Sequence, residues 1–193
     1  MSNGKPPEWA ILVAVSAAKL SPCQKSKRGA VVFLTAGAED LRIAYTGVGY
    51  NGPPASIVCD GSEACRSSCG RRCVHAESRA LRGYVIRSGL LGEVSGADVD
   101  LVHVKVENDA LVAGGGPSCW QCSREILDLG IGGVWLFLEM TGCETTWNPV
   151  TGETTAVEVG ERVGMWRRYT AEEFHRVTCE NAKGGPVYLG ERR

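Results

Sequence analysis

The sequence predicts an α/β domain built around a mixed sheet. Three observations lead there. Short β-branched apolar runs alternate with segments of helical period. Glycine- and proline-rich stretches separate them. The 193 residues are enough for one domain with a sizeable core.

The elements follow in order. Trp9, Leu12, Val13, Ser16, Ala17 and Leu20 recur at spacings of three and four, so residues 7–20 read as a first helix. Ser21-Pro22 ends it, because a residue before proline avoids the helical region. Residues 29–34 read as a buried strand, 36–40 as a turn, and 41–48 as a second strand antiparallel to the first. Gly49-Tyr50-Asn51-Gly52-Pro53-Pro54 is a loop by composition. Residues 55–72 are rich in Cys, Gly, Ser and charge and have little apolar periodicity. Their order has to come from something other than a core, and a metal ion is the candidate.

Residues 74–87 read as a second helix and 99–106 as a strand. Residues 114–117 form a turn, with Ser118 as N-cap of a third helix over 119–129 that Gly130 closes. Residues 134–138 are a strongly apolar strand. After Met140 the pattern weakens to turns and a hairpin around Asn148-Pro149-Val150-Thr151-Gly152. Thr170 with Glu173 reads as the capping box of a last helix.

Composition narrows the function. Lys plus Arg is 21 and Asp plus Glu is 22. Proteins that coat duplex nucleic acid are usually basic, because neutralised phosphates supply their affinity. This balance disfavours that class and leaves room for a small basic pocket. No apolar run reaches the length of a membrane span, and the polar start lacks the pattern of a secretory signal, so a cytoplasmic location is expected. Nine cysteines, an odd number, fit reduced metal-binding thiols better than a framework of bridges.

Two motifs carry the chemistry. Cys73-Val74-His75-Ala76-Glu77 opens one predicted helix, and Pro117-Ser118-Cys119-Trp120-Gln121-Cys122 opens another. His75, Cys119 and Cys122 make three zinc ligands and leave a fourth position open, the mark of a catalytic ion. Cysteines three apart on a first helical turn point the same way, and the helix N-terminus favours their thiolates. Glu77 lies beside the ion without being needed as a ligand, so it is the candidate proton carrier. His-x-Glu followed by Cys-x-x-Cys is a known signature of zinc deaminases. The bland alternative is a closed structural site in which Cys73 completes the set.

With these motifs the chain resembles the deoxycytidylate deaminase branch of the cytidine deaminase-like superfamily over roughly residues 10–138. The resemblance rests on Ser21-Pro22-Cys23, Lys27-Arg28-Gly29-Ala30-Val31-Val32, the Gly49–Pro54 loop and the two zinc motifs. It implies a three-layer α/β/α fold with a five-stranded mixed sheet. Residues 1–140 would form the deaminase domain, and 141–193 an extension packed on it. It implies that Asn51 contacts a sugar and that the Ala76 N–H meets the ring carbonyl. It also implies a second, structural zinc held by Cys23, Cys59, Cys65 and Cys69, with Cys73 as alternate ligand. Members usually form homo-oligomers. The chain departs from the family at Ser118, at Arg79, in the stretch before Cys119 and in the tail.

The resemblance implies zinc-dependent hydrolysis of a cytosine nucleotide, first of all dCMP to dUMP with release of ammonia. A second reading is a deaminase of single-stranded nucleic acid, with Trp120, Trp135, Trp147 and Trp166 as stacking surfaces, although Trp135 sits in an apolar strand and reads as core. A third is a zinc-stabilised binding module without turnover, against which Glu77 argues.

Overall fold

The computed structural model describes residues 4–35, 45–55, 57–91, 98–147 and 154–181. The expected turn at 36–40, the start of the second strand and the hairpin turn at 148–152 lie outside these residues.

The element order is α1 (Glu8–Lys19), β1 (Lys27–Leu34), β2 (Tyr45–Tyr50), α2 (Glu63–Arg72), α3 (Ala76–Leu91), β3 (Val99–Glu107), β4 (Ala110–Val112), α4 (Trp120–Asp128), β5 (Gly133–Trp147), β6 (Thr154–Tyr169) and α5 (Ala171–Asn181). The sheet runs β2-β1-β3-β5-β6. Pairing is antiparallel except between β3 and β5, which are parallel. The five-stranded mixed sheet is therefore present, with a sixth short strand, β4, folded back on the end of β3. Positive φ at Asn108 (48°) and Asp109 (64°) makes that reversal, at two residue types that tolerate the left-handed region.

The layers come from strand alternation. Val102, Val104 and Val106 of β3 join Val31 and Phe33 of β1 and pack on Ala10, Ala14 and Ala18 of α1. Ala30 and Val32 of β1 and Leu101 of β3 face the other way, onto Ala76, Ala80, Leu81 and Tyr84 of α3 and Ile126 of α4. Helices thus cover both faces, the three-layer arrangement that the resemblance implies.

Two close approaches set the helix positions. A Cβ on Gly29 would lie 2.0 Å from the Ala14 carbonyl oxygen, and one on Gly47 would lie 2.0 Å from that of Ala80. Only glycine lets α1 and α3 lie so near the sheet.

Some elements differ from the sequence expectation. Gly49 and Tyr50 belong to β2 rather than to the following loop. Residues 63–72, within the segment of little apolar periodicity, form α2, capped by Ser62, whose Oγ accepts the Cys65 N–H at 3.1 Å. The cap of α4 is not Ser118 but Cys119, whose sulfur accepts the Cys122 N–H at 3.5 Å. The strand expected at 134–138 continues to Trp147 and forms a long hairpin with β6. Thr170 caps α5 as expected, its Oγ1 accepting the Glu173 N–H at 3.1 Å.

Candidate metal and catalytic site

The two motifs meet at the N-terminal ends of α3 and α4. His75 precedes α3, and its carbonyl accepts the Arg79 N–H. The strand-like bridge between Gly52 and Val74, with bonds of 3.1 and 2.9 Å, ties this start to the loop after β2. Gly49 lets the helix lie on β2, since a Cβ there would stand 2.2 Å from the Ala76 carbonyl oxygen. On α4, Cys119 at the cap and Cys122 one turn on face back toward α3.

His75, Cys119 and Cys122 place their ligand atoms all within 4.8 Å of one another. Cys122 Sγ lies 3.4 Å from His75 Nδ1. The Cys119 thiol is pulled down to about 5, mainly by the neighbouring Cys122 and then by His75 and the Cys122 N–H. Cys122 is pushed up by Cys119 and by burial. The contact with Cys119 raises His75 against the effect of its burial. One thiol is thus depressed while its neighbour is raised, the pattern of two close sulfurs suited to share a cation. An imidazole and two sulfurs in a compact triad are the donor set that zinc takes, and they leave room for a fourth ligand.

Glu77 is buried at the start of α3. Burial pushes its carboxyl up, but His103, its own backbone N–H, His75 and Arg28 outweigh that and hold it below the usual carboxylate range. His103 Nδ1 faces its Oε1 at 3.7 Å. Burial pushes the His103 imidazole down, against the pull of Glu77.

All these groups except Cys122 line one cavity of about 230 Å³. Lys25, Ser26, Arg28, Asn51 and Ala76 share its wall, as do Cys23, Cys69 and Cys73. Asn51 carries much of the wall's order. Its Oδ1 accepts the Arg28 N–H at 2.7 Å and the Ser21 hydroxyl at 2.9 Å, and its Nδ2 donates to the Ser26 carbonyl at 2.8 Å. One of its two amide N–H groups is spent on the backbone, and the residue pins the loop to β1. Ala76 is fully buried at the head of α3, where helical N–H groups have no partner within the helix.

Four of the cysteines near the expected second ion approach in two pairs, and among the described residues no three of them bring their sulfurs all within 4.8 Å of one another. Cys59 and Cys65 lie 3.5 Å apart, and Cys69 and Cys73 lie 3.3 Å apart. Cys23 stands near enough to Cys59 and Cys69 to affect their titration, lowering the first and raising the second. Helix α2 explains the grouping, because residues four apart share a face. The Gln24 N–H bonds the Cys59 sulfur at 3.3 Å and lowers its pKa, while burial and Cys73 push Cys69 up to about 12. Cys73 pairs with Cys69 and is not part of the His75 group.

No protein-family model matches the sequence, and no curated protein sequence matches it. Among solved structures, the chain is similar to the apo dCMP deaminase of the cyanophage S-TIM5 (21% identity, 66% of this chain and 78% of that one, TM-score 0.42). The same phage enzyme in complex with dCMP and dUMP matches at 23% identity over 67% and 81%, with a TM-score of 0.44. A cytidine deaminase from Burkholderia pseudomallei matches at 18% identity over 88% and 96%, with a TM-score of 0.47.

Two residues of the site lie outside the sequence motifs. In the sequence His103 reads only as part of a strand, although the run from Val99 to Glu107 puts an imidazole on the same face as Leu101. Arg79 reads as part of a solvated helix face. Its guanidinium instead donates to the Pro53 carbonyl at 2.9 Å and lies 4.9 Å over the Tyr50 ring, clamping the loop. Trp135 is core, its Nε1 donating to Asp100 at 2.7 Å, whereas Trp120 is partly exposed at the cavity end of α4.

Proposed function

We propose that this chain is a zinc-dependent deaminase of a cytosine nucleotide, with dCMP as the first substrate to test. The observation that carries the reading is the compact triad of His75, Cys119 and Cys122 opening on the cavity that also holds Glu77. A zinc ion held by those three residues supplies Lewis acidity, which makes water nucleophilic at neutral pH. Glu77, sheltered from bulk solvent, would take one proton from that water and pass it to the ring nitrogen beside the attacked carbon, then take the proton of the new hydroxyl and pass it to the departing amine, so that water and the cytosine ring give a uracil nucleotide and ammonia. The Ala76 N–H is suited to the ring carbonyl, and the remaining Asn51 N–H to a sugar hydroxyl. Lys25 and Arg28 on the same wall suit an anionic substrate.

In this reading Cys23, Cys59, Cys65 and Cys69, with Cys73 as alternate ligand, hold a second, structural ion that orders a segment without a core of its own. Residues 1–140 carry the chemistry and 141–193 extend the same domain. The active form is a homo-oligomer in the cytoplasm. The experiment is ammonia release from cytidine, deoxycytidine, dCMP, 5-methyl-dCMP and a single-stranded oligonucleotide, beside zinc content. Activity on dCMP that E77Q abolishes without loss of zinc supports the reading. Turnover of the oligonucleotide alone moves the substrate to nucleic acid. No turnover of any of them leaves a zinc-binding module.

A further inference from the structure

We propose that His103 is the positioning residue for Glu77, its Nδ1–H holding one carboxylate oxygen so that the other is directed at the substrate. The activity arm of its test rests on the deaminase reading; the geometric arm does not.

The position argues for a function. On β3, Leu101 and His103 share the face toward α3 and α4, and Val102, Val104 and Val106 share the opposite one. In register, His103 lies between Ala30 of β1 and Leu136 of β5. Its strand neighbours on this face are apolar, and His103 is the strand's polar contribution to the cavity wall. The chain places there a mostly buried imidazole whose Nε2 atom is buried and has no hydrogen-bond partner among the described residues. A buried polar atom left unpaired costs stability, so its presence calls for a reason.

The reason is what the ring faces. Nδ1 points at Oε1 of Glu77 across 3.7 Å. That separation is longer than a hydrogen bond. Contacts of catalytic groups commonly shorten when substrate fills the site. A neutral imidazole carries one N–H and one lone pair. With the N–H on Nδ1 it meets a carboxylate. With the N–H on Nε2 it would set a lone pair against the carboxylate. Glu77 is the side chain that must pass protons between water and the ring, and small errors in its aim are costly. A second group fixing one of its oxygens is the support such a carrier needs.

The test uses zinc-loaded protein labelled with ¹⁵N-histidine. The chain has three histidines, so the spectrum of H103N assigns the His103 signals. The expected state is the neutral Nδ1–H tautomer, with a resonance that moves in E77Q. An Nε2–H tautomer, or a signal indifferent to E77Q, overturns the proposal whether or not the protein deaminates anything. On a substrate the wild type turns over, H103L should lower kcat at least tenfold, with KM within threefold and zinc content unchanged. H103N, which restores a side-chain N–H, should recover most of the loss. Full kcat in H103L sinks the proposal, as does loss of zinc in H103N. A wild type without turnover on any nucleotide refutes the deaminase reading and leaves the tautomer to decide the role of His103.

Discussion

The Ser78 hydroxyl donates to Glu125 Oε2 at 2.8 Å, and the hydroxyl oxygen lies 3.8 Å from Cys122 Sγ. This bond joins α3 to α4 directly behind the metal triad. The triad needs both helices, since His75 comes from one and the two sulfurs from the other. Ser78 is buried, so its loss leaves Glu125 without its donor and the helix pair without a polar tie. S78A should weaken zinc binding about 10-fold to 100-fold, the usual effect of losing support behind a ligand. Competition with a chromophoric chelator measures it. An affinity unchanged from the wild type refutes the link.

Zinc uptake should depend on pH in a defined sense. Each ligand must be unprotonated to bind. Cys119 sits at about 5, Cys122 is raised by Cys119 and burial, and His75 is raised by Cys119. Protons on Cys122 and His75 compete with the ion to higher pH than one on Cys119, which joins them only below about 5. Affinity therefore rises with pH, most steeply in acid, and flattens stepwise as each group loses its proton. Chelator competition from about pH 5 to 8 tests this, and a flat profile counters it.

The α3–β2 contact should tie packing to the site. G49A puts a methyl group 2.2 Å from the Ala76 carbonyl oxygen, a backbone atom that cannot move alone. The start of α3 has to lift, at a cost of about 1–3 kcal/mol, and zinc affinity should fall with it. A methyl group on Gly89, also on α3, would meet nothing within 4 Å. G89A should stabilise by about 0.5–1 kcal/mol with metal binding unchanged. Thermal melts and zinc titrations on both variants separate the two effects.

Asp100 anchors the far end of the domain. Its carboxylate accepts two bonds from Arg168, at 2.8 and 2.7 Å, and one from Trp135 at 2.7 Å. It is 2% exposed, and it is the point where β3, β5 and β6 meet. D100A strands the indole N–H and leaves the guanidinium without its partner. Breaking a buried pair by removing one member costs about 3–5 kcal/mol; the partly exposed Arg168 puts this one near the lower figure. A fall in Tm of about 6–12 °C follows for a chain of this size. A loss below about 2 °C would show that the contact carries little.

Periodicity and spacing alone reach the layer class and most elements, because each segment's apolar pattern is local information. They also reach the metal triad. His75, Cys119 and Cys122 open helices whose starts must be fixed by nearby residues, and His-x-Glu with Cys-x-x-Cys leaves few other readings. Helix α2 escapes the sequence for the same reason in reverse. It has almost no apolar face to detect, and Ser62 as its cap is the one local signal.

What the tertiary structure decided is how distant segments share space. The packing of β3 under α3 set His103 against Glu77, and the fold of the loop turned Arg79 inward onto Pro53 and Tyr50. Neither of these follows from chain-local pattern, because each depends on where a strand's register and a helix's tilt bring side chains far apart in sequence. Chemistry by residue type was written in the motifs; the partners each group answers to were settled only by packing.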